Sequence, residues 1–595
     1  MKKKKLFLII ITIAAVAAVL VLAFALSAGK SSGSTTQGTT ATTGTTGTTA
    51  GWEEPEVPDD GHKYGEDGLC TECGVISPKW LEFDFPKREY DKYVVSANEY
   101  KQFPKAFKIP ESYDGIPVVG IDVTGFSTSK NKSLEDVEKI ELPKTVTSIG
   151  DGAFQGCAAL TYISLPSGLT DIGSGAFSGC KALEEISLPS GLTSIGSYAF
   201  EDCTALAEIS LPQGITYLGG GAFSGCTALT KIDIPESITM LNPNMFEGCT
   251  ALAEVNLPSS LTQIGSESFS GCTALKELII PDSVTLIDYW AFSDCTALEK
   301  LNLPESLTDI GVMPFKNCEK LEFAELELPK NLRLIESGAF SDFDTLKTIT
   351  IPKSVTAIRD SAFSGCTALE TVIFEAADES SDVLSLSGEI FGGCTSLESI
   401  EIPRDVSLGM TFMNCTSLES VVIQGTASKI GEKAFYGCTA LKSVEVREGS
   451  GIVDDSAFEG CTALEVIYIP SGGMYVVTRV GARAFYGCTS LEEVGIGYLS
   501  GSIDTLAFYG CLSLKSITIA EGCEFIGQKA FYGCPSLAEV TLPKTVKTIS
   551  IDALAECASL AKIYYGGTVA EWNNVVKYDL RGACTVYCTD GEVRL

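Results

Sequence analysis

Ile140-Glu-Leu-Pro-Lys-Thr-Val-Thr-Ser-Ile149-Gly-Asp-Gly-Ala153-Phe154-Gln-Gly-Cys157-Ala-Ala-Leu160 decides the fold, because the chain repeats it. The next copy starts at Ile163 and carries Ala176, Phe177 and Cys180 in the same places. Phe154, Phe177, Phe200, Phe223, Phe246, Phe269, Phe292 and Phe315 follow one another at a strict interval of 23 residues. Ile-x-Leu before Pro alternates with period two, so both apolar side chains face one side of a short strand. The Pro ends that strand or lies at its edge. Val-Thr-x-Ile-Gly is a second extended piece, and its Gly turns the chain. Ala-Phe-x-Gly-Cys-x-x-Leu sets Phe, Cys and Leu three apart, which predicts a short helical turn with all three on one side. Each copy offers about seven inward side chains that it cannot cover alone, so the copies must stack. Each buried Leu, Ile or Phe then contributes roughly 1.5–3 kcal/mol.

The column continues through Phe340, Phe363, Phe391, Phe412, Phe435, Phe458, Phe485, Phe508 and Phe531, and Leu554 takes the same place in a last unit. The predicted fold is an α/β solenoid: a right-handed coil of about 18 repeats of about 23 residues, with short parallel strands and short helical turns. At about 4.8 Å per coil it would extend on the order of 85 Å. Intervals of 25, 28, 21 and 27 residues end at Phe340, Phe391, Phe412 and Phe485. The longest holds the acidic run Glu375-Ala-Ala-Asp-Glu-Ser-Ser-Asp382, read as an edge loop that is either a recognition or cation segment or a solvated bulge.

Composition narrows the function. The 595 residues carry 43 Lys+Arg against 76 Asp+Glu, a formal net charge of -33. Such a surface repels phosphate backbones, so nucleic acid is not an expected partner. His62 is the sole histidine. A catalytic triad, a Cys-His dyad or a two-His zinc site therefore has no histidine to use within the repeats. The Asp and Glu residues are scattered at variable positions rather than gathered, and no enzyme is expected.

The N-terminus predicts export. Lys2 to Lys5 precede an apolar run from Leu6 to Leu26, and Lys30 follows it. A run of that length crosses a hydrocarbon core of about 30 Å, and the lysines place the rest of the chain outside. Residues 1–30 thus read as a single transmembrane anchor. The alternative is a cleaved signal, which leaves the protein secreted. Residues 31–50 are almost entirely Ser, Thr and Gly, a composition that does not fold, and form a linker.

With these motifs in hand, the chain resembles the BspA-like leucine-rich-repeat proteins of bacterial surfaces over roughly residues 80–595. The resemblance implies a cell-surface protein that adheres to proteins of host or neighbouring cells. It does not name the ligand. A passive spacer of the cell envelope is the alternative. Residues 81–137 resemble the family's leading half-coil, 138–562 are the repeat solenoid, and 563–595, with Trp572, resemble its closing segment.

Of the 22 cysteines, those three residues after the column Phe form a ladder from Cys157 to Cys557, with Phe343 standing in once. Parallel Cβ directions in a stack suit disulfides poorly, which predicts reduced, packed thiols. Within residues 51–80, His62 stands eight residues before Cys70-Thr-Glu-Cys73-Gly. These three are candidate ligands of a structural zinc, with Glu56, Asp59, Asp60 or water as a fourth. A Cys70–Cys73 disulfide or two free thiols are the alternatives. No cofactor is required otherwise.

Inward positions are committed to packing, so binding must use outward ones. The residue between Ile and Leu faces out, giving a polar stripe of Ser164, Ser187, Ser210, Asp233 and Asn256. A second stripe follows the column Phe and becomes aromatic late in the chain at Tyr436, Tyr486, Tyr509 and Tyr532. Stacked tyrosines suit protein or sugar contacts, though single exposed aromatics are also ordinary.

Overall fold

A computed structural model of the protein describes residues 61–86, 91–376, 383–448, 452–469, 477–496, 499–578 and 584–595. The anchor or signal at 1–30, the linker at 31–50, the candidate fourth ligands Glu56, Asp59 and Asp60, and residues 377–382 of the acidic run lie outside the described residues. Among the described residues no helix is long and apolar enough to cross a membrane.

Most coils contribute two short strands that pair in parallel with their counterparts one coil on, and around Glu185 and Glu208 the first strand shrinks to isolated parallel bridges. Lys139–Glu141 pairs with Tyr162–Ser164, Ile140 opposite Ile163. Ser148–Ile149 pairs with Asp171–Ile172, and that strand with Ser194–Ile195. The register equals the repeat length, so identical positions lie over one another. Ile140, Val146, Ile149, Ala153, Phe154, Cys157 and Leu160 all point inward and are buried. The column phenylalanines stack face to face, with centroids of 5.3 to 5.9 Å between successive rings from Phe154 to Phe292. Phe126 extends the stack one coil earlier, 5.8 Å from Phe154. The repeated Thr is explained too: its hydroxyl donates to the carbonyl of the equivalent Thr one coil back, as Thr170 does to Thr147 at 3.1 Å and Thr193 to Thr170 at 3.1 Å.

The segment predicted as a helical turn is instead a string of β-turns that forms a third ladder. The amides of Ala153, Gln155 and Cys157 close turns onto the carbonyls of Gly150, Gly152 and Phe154. The intervening amides of Gly152, Phe154 and Gly156 donate to Ser174, Ala176 and Ser178 of the next coil, each at 2.7 Å. Left-handed residues at Gly152 (φ 59) and Gly156 (φ 79) swing alternate amides outward, which an α-helix cannot do. The Gly after the second strand has a different duty. A Cβ on Gly196 would lie 2.4 Å from the backbone nitrogen of Ser174, so the coils approach there as only glycine permits.

The cysteine ladder is built into this stack. Each of its thiols donates to the carbonyl of the column Phe one coil back, from Cys157 to Phe126 at 3.2 Å, through Cys272 to Phe246 at 3.2 Å, to Cys557 to Phe531 at 3.2 Å. Burial pushes the Cys157, Cys203 and Cys249 thiols up to about 12. The free thiols agree with the predicted reduced packing. Where the period breaks, the packing adapts. Arg404, in the short coil after the 28-residue one, is buried and donates to the carbonyls of Lys353 (3.3 Å) and Val355 (2.8 Å).

Both ends of the stack are covered. At the C-terminal end, Lys562–Tyr565 pairs with Thr585–Cys588, which turns back antiparallel onto Gly591–Arg594. The α-helix Val569–Asn574, opened by a Thr568/Glu571 capping box, sets Trp572 over the exposed core. At the other end, the hairpin of Leu81–Asp84 and Tyr93–Ala97 leads into Ile116–Ile121, which pairs with Ser148–Ile149. The sheet of first strands begins with Ala106–Lys108 on Lys139–Glu141. Its outer edge is taken by the Cys-x-x-Cys segment: Ile76 donates to the Lys108 carbonyl at 2.8 Å and Lys108 to that of Gly74 at 3.1 Å. Uncovered edges would invite pairing with other chains.

Candidate functional site

Three outward features emerge from this scaffold. The first is the strand stripe of the early coils. Ser187, Ser210, Asp233 and Asn256 are exposed, while Ser164 is half-buried and accepts a hydrogen bond from the Leu142 amide at 3.1 Å. Asn256 donates to Asp233 at 2.5 Å, and Lys231 pairs with Glu254 beside them at 2.5 Å. This face is polar, with Asp233 and Asn256 paired across coils and Ile279 as an exposed apolar residue in the same register.

The second feature is the tyrosine stripe. Tyr486, Tyr509 and Tyr532 stack in one continuous column, with centroids 4.9 and 5.3 Å apart and planes within 6°. The 23-residue intervals set this geometry, because side chains at one register position repeat at the coil spacing. Tyr436 holds the same register but stands apart, since Glu459 occupies the coil between it and Tyr486. All four rings are half-buried.

Cations flank this column, and the sequence reading missed them. The Arg483 guanidinium lies 4.1 Å from the Tyr486 centroid, and Lys529 Nζ lies 5.1 Å from that of Tyr532. Both occupy the position two before the column Phe, where the backbone is left-handed, with φ 59 at Arg483 and 54 at Lys529. The spacing of three between cation and Tyr was the available signal. Arg483 Nε also donates to Glu459 at 2.9 Å, and this hydrogen bond raises the pKa of the guanidinium. Arg483, Tyr486, Leu506, Tyr509 and Lys529 line an open depression of about 360 Å³. Because the rings cover one another's faces, the surface offers a row of ring edges and hydroxyls with a cation at each end, chemistry that suits protein or carbohydrate contacts. More aromatics sit on the late strand face: Tyr468 is 64% exposed, and Tyr564 and Tyr587 stack at 5.5 Å.

The third feature is the N-terminal cluster. The ligand atoms of His62, Cys70 and Cys73 all lie within 4.8 Å of one another, and His62 Nδ1 is 3.3 Å from Cys73 Sγ. The Glu72 amide hydrogen-bonds the Cys70 sulfur, and the Cys73 amide and the His62 and Cys73 side chains add to it. Together they lower this thiol to about 6 against the opposing effect of burial. Cys70 is buried and Cys73 exposed.

The described residues thus carry two outward stripes, one polar and one aromatic, and one cluster of His and Cys side chains on a repeat scaffold. The sequence matches the BspA type leucine rich repeat region in overlapping stretches that span 131–578. Among solved structures, the chain is similar to a leucine-rich repeat protein from Bacteroides ovatus, with 27% identity over 78% of this chain and 94% of that one, and a TM-score of 0.34. It is also similar to a leucine rich cell surface protein from Faecalibacterium prausnitzii, with 21% identity over 84% of this chain and 97% of that one, and a TM-score of 0.23. The T. pallidum leucine rich repeat protein shares 29% identity over 34% of this chain and 90% of its own, with a TM-score of 0.30. No curated protein matches the chain. The motif, the stacked coils and the family match agree, and the chain belongs to the BspA-type leucine-rich-repeat family.

Proposed function

We propose that this protein is a non-catalytic cell-surface adhesin that binds proteins or other components on host or neighbouring cells. The run from Leu6 to Leu26 would hold it to the membrane, or would be cleaved to release it. The observation that carries the reading is the Tyr486–Tyr509–Tyr532 column with Arg483 and Lys529 at its ends. Large, stiff aromatic faces and arginine are the side chains that anchor protein interfaces. The strip also gathers Lys529 and the Glu459-paired Arg483 on a chain whose net charge is -33.

The test is adherence of cells displaying the full chain to matrix proteins and partner cells. Replacing Tyr486, Tyr509 and Tyr532 by Ala together removes the faces but not the coils beneath. Loss of one such anchor costs about 2 kcal/mol or more, so adherence should fall more than about 10-fold. Unchanged adherence would reject the strip as the contact. A second reading, an envelope spacer without a specific ligand, is favoured by the polar stripe from Ser187 to Asn256, where Asn256 satisfies Asp233. It predicts that the parent chain retains no partner at all.

A further inference from the structure

We propose that His62, Cys70 and Cys73 bind one zinc ion that staples the N-terminal cap onto the first coil. The donor set argues for the metal class. Two thiolates and an imidazole are soft to borderline ligands, suited to zinc and poorly suited to calcium or magnesium. A tetrahedral zinc with bonds of about 2.0–2.3 Å spaces its ligand atoms roughly 3.5–3.8 Å apart. The three atoms already lie within 4.8 Å of one another, so small rotations about the side-chain bonds complete the site.

The backbone is shaped for this purpose. Gly74, with φ 75, turns the chain so that its amide reaches the Cys70 carbonyl at 2.9 Å. The amides of Glu72 and Cys73 also point at the Cys70 sulfur, which fixes it in the turn beside Cys73 and His62. The described residues supply three ligands, and water in the fourth position would make the ion removable by chelators.

The role follows from where the turn sits. Residues directly after Cys73 form the outermost neighbour of the first-strand sheet, through Ile76 to Lys108 and Lys108 to Gly74. Val75 bridges Lys108 in parallel, in the same sense as the ladder of coils behind it. The segment from Gly61 to Trp80 brings few fully buried apolar side chains, chiefly Ile76 and Cys70. So small a unit gains much of its folding free energy from a bound ion. The ion thereby keeps the solenoid's open sheet edge covered. The inference is independent of the adhesive reading, since it concerns the opposite end of the repeats.

The experiment uses the purified full chain. Metal analysis should find one equivalent of zinc, and cobalt(II) added after chelation should give the visible bands of a tetrahedral site with thiolate charge transfer. Cys70→Ser, Cys73→Ser and His62→Ala should each abolish the stoichiometric zinc. Circular dichroism of the repeats should stay unchanged in these variants, separating loss of metal from loss of fold. Hydrogen exchange should rise on chelation in peptides covering 61–80 and 106–108 and not in the central coils. A Cys70–Cys73 disulfide in the freshly purified protein would overturn the proposal. So would zinc retained in the Cys→Ser variants, or exchange that ignores the chelator.

Discussion

Alkaline pH should loosen the solenoid, and four cysteines are enough to show it. Cys226, Cys249, Cys272 and Cys295 are fully buried in consecutive coils, and each thiol donates to a Phe carbonyl one coil back. Burial holds all four well above the ordinary thiol value of 9.0, Cys249 at about 12. The folded pKa is therefore raised above the unfolded one. Such a group's contribution is complete below pH 9.0 and is lost as pH climbs from there towards the folded value. One pH unit above its unfolded pKa, each released proton favours the unfolded chain by about 1.4 kcal/mol. Four thiols in coils that open together give about 6 kcal/mol by the same linkage. Urea unfolding of the full chain, followed by circular dichroism near neutral pH and at about pH 10, measures this. The comparison is with a variant carrying Ala at all four positions. That variant starts less stable because it has lost four packed sulfurs, yet it should lose about 6 kcal/mol less on going alkaline. Tyrosine and lysine ionisations are common to both proteins and cancel. Equal losses in parent and variant would refute the reasoning, because the thiols would then not be protonated occupants of the core.

Two further outcomes test the stack itself. Phe269→Ala removes a ring held between Phe246 at 5.5 Å and Phe292 at 5.3 Å, and should destabilise the middle coils by about 3–5 kcal/mol. Limited proteolysis should then cut near that coil, whereas Phe269→Leu, with the residue that replaces Phe at position 554, should lie closer to the parent. Gly196→Ala should cost about 1–3 kcal/mol in urea unfolding through the close Ser174 backbone, although its φ is ordinary. An alanine tolerated there without loss would mean that the coils are farther apart than described.

The aromatic strip and the proposed zinc site lie towards opposite ends of the repeats, which suits a division of labour. The N-terminal cluster lies beside the outer edge of the first-strand sheet. The late coils, where Tyr replaces Ser, Gln and Glu after the column Phe, carry the surface proposed for contact. A solenoid permits this grading because outward residues change without disturbing the stack.

The repeat unit, its inward column and the cysteine ladder were legible in the amino-acid order, since a period of 23 with Ile, Phe, Cys and Leu in constant places permits one way of burying them. The tyrosine register was legible for the same reason. Other features needed the fold. The turn of Ala-Phe-x-Gly-Cys reads as helical by spacing, but alternate amides find partners only in a neighbouring coil, and local sequence carries no information about that neighbour. Arg483 and Lys529 join the tyrosines because left-handed backbone at their positions is imposed by the ladder. The Cys-x-x-Cys turn was visible as a ligand motif, yet its place as the first rung of the sheet depends on pairing with Lys108. Periodic burial is written along the chain, whereas contacts between coils, and at the ends where the period stops, arise only when distant segments meet.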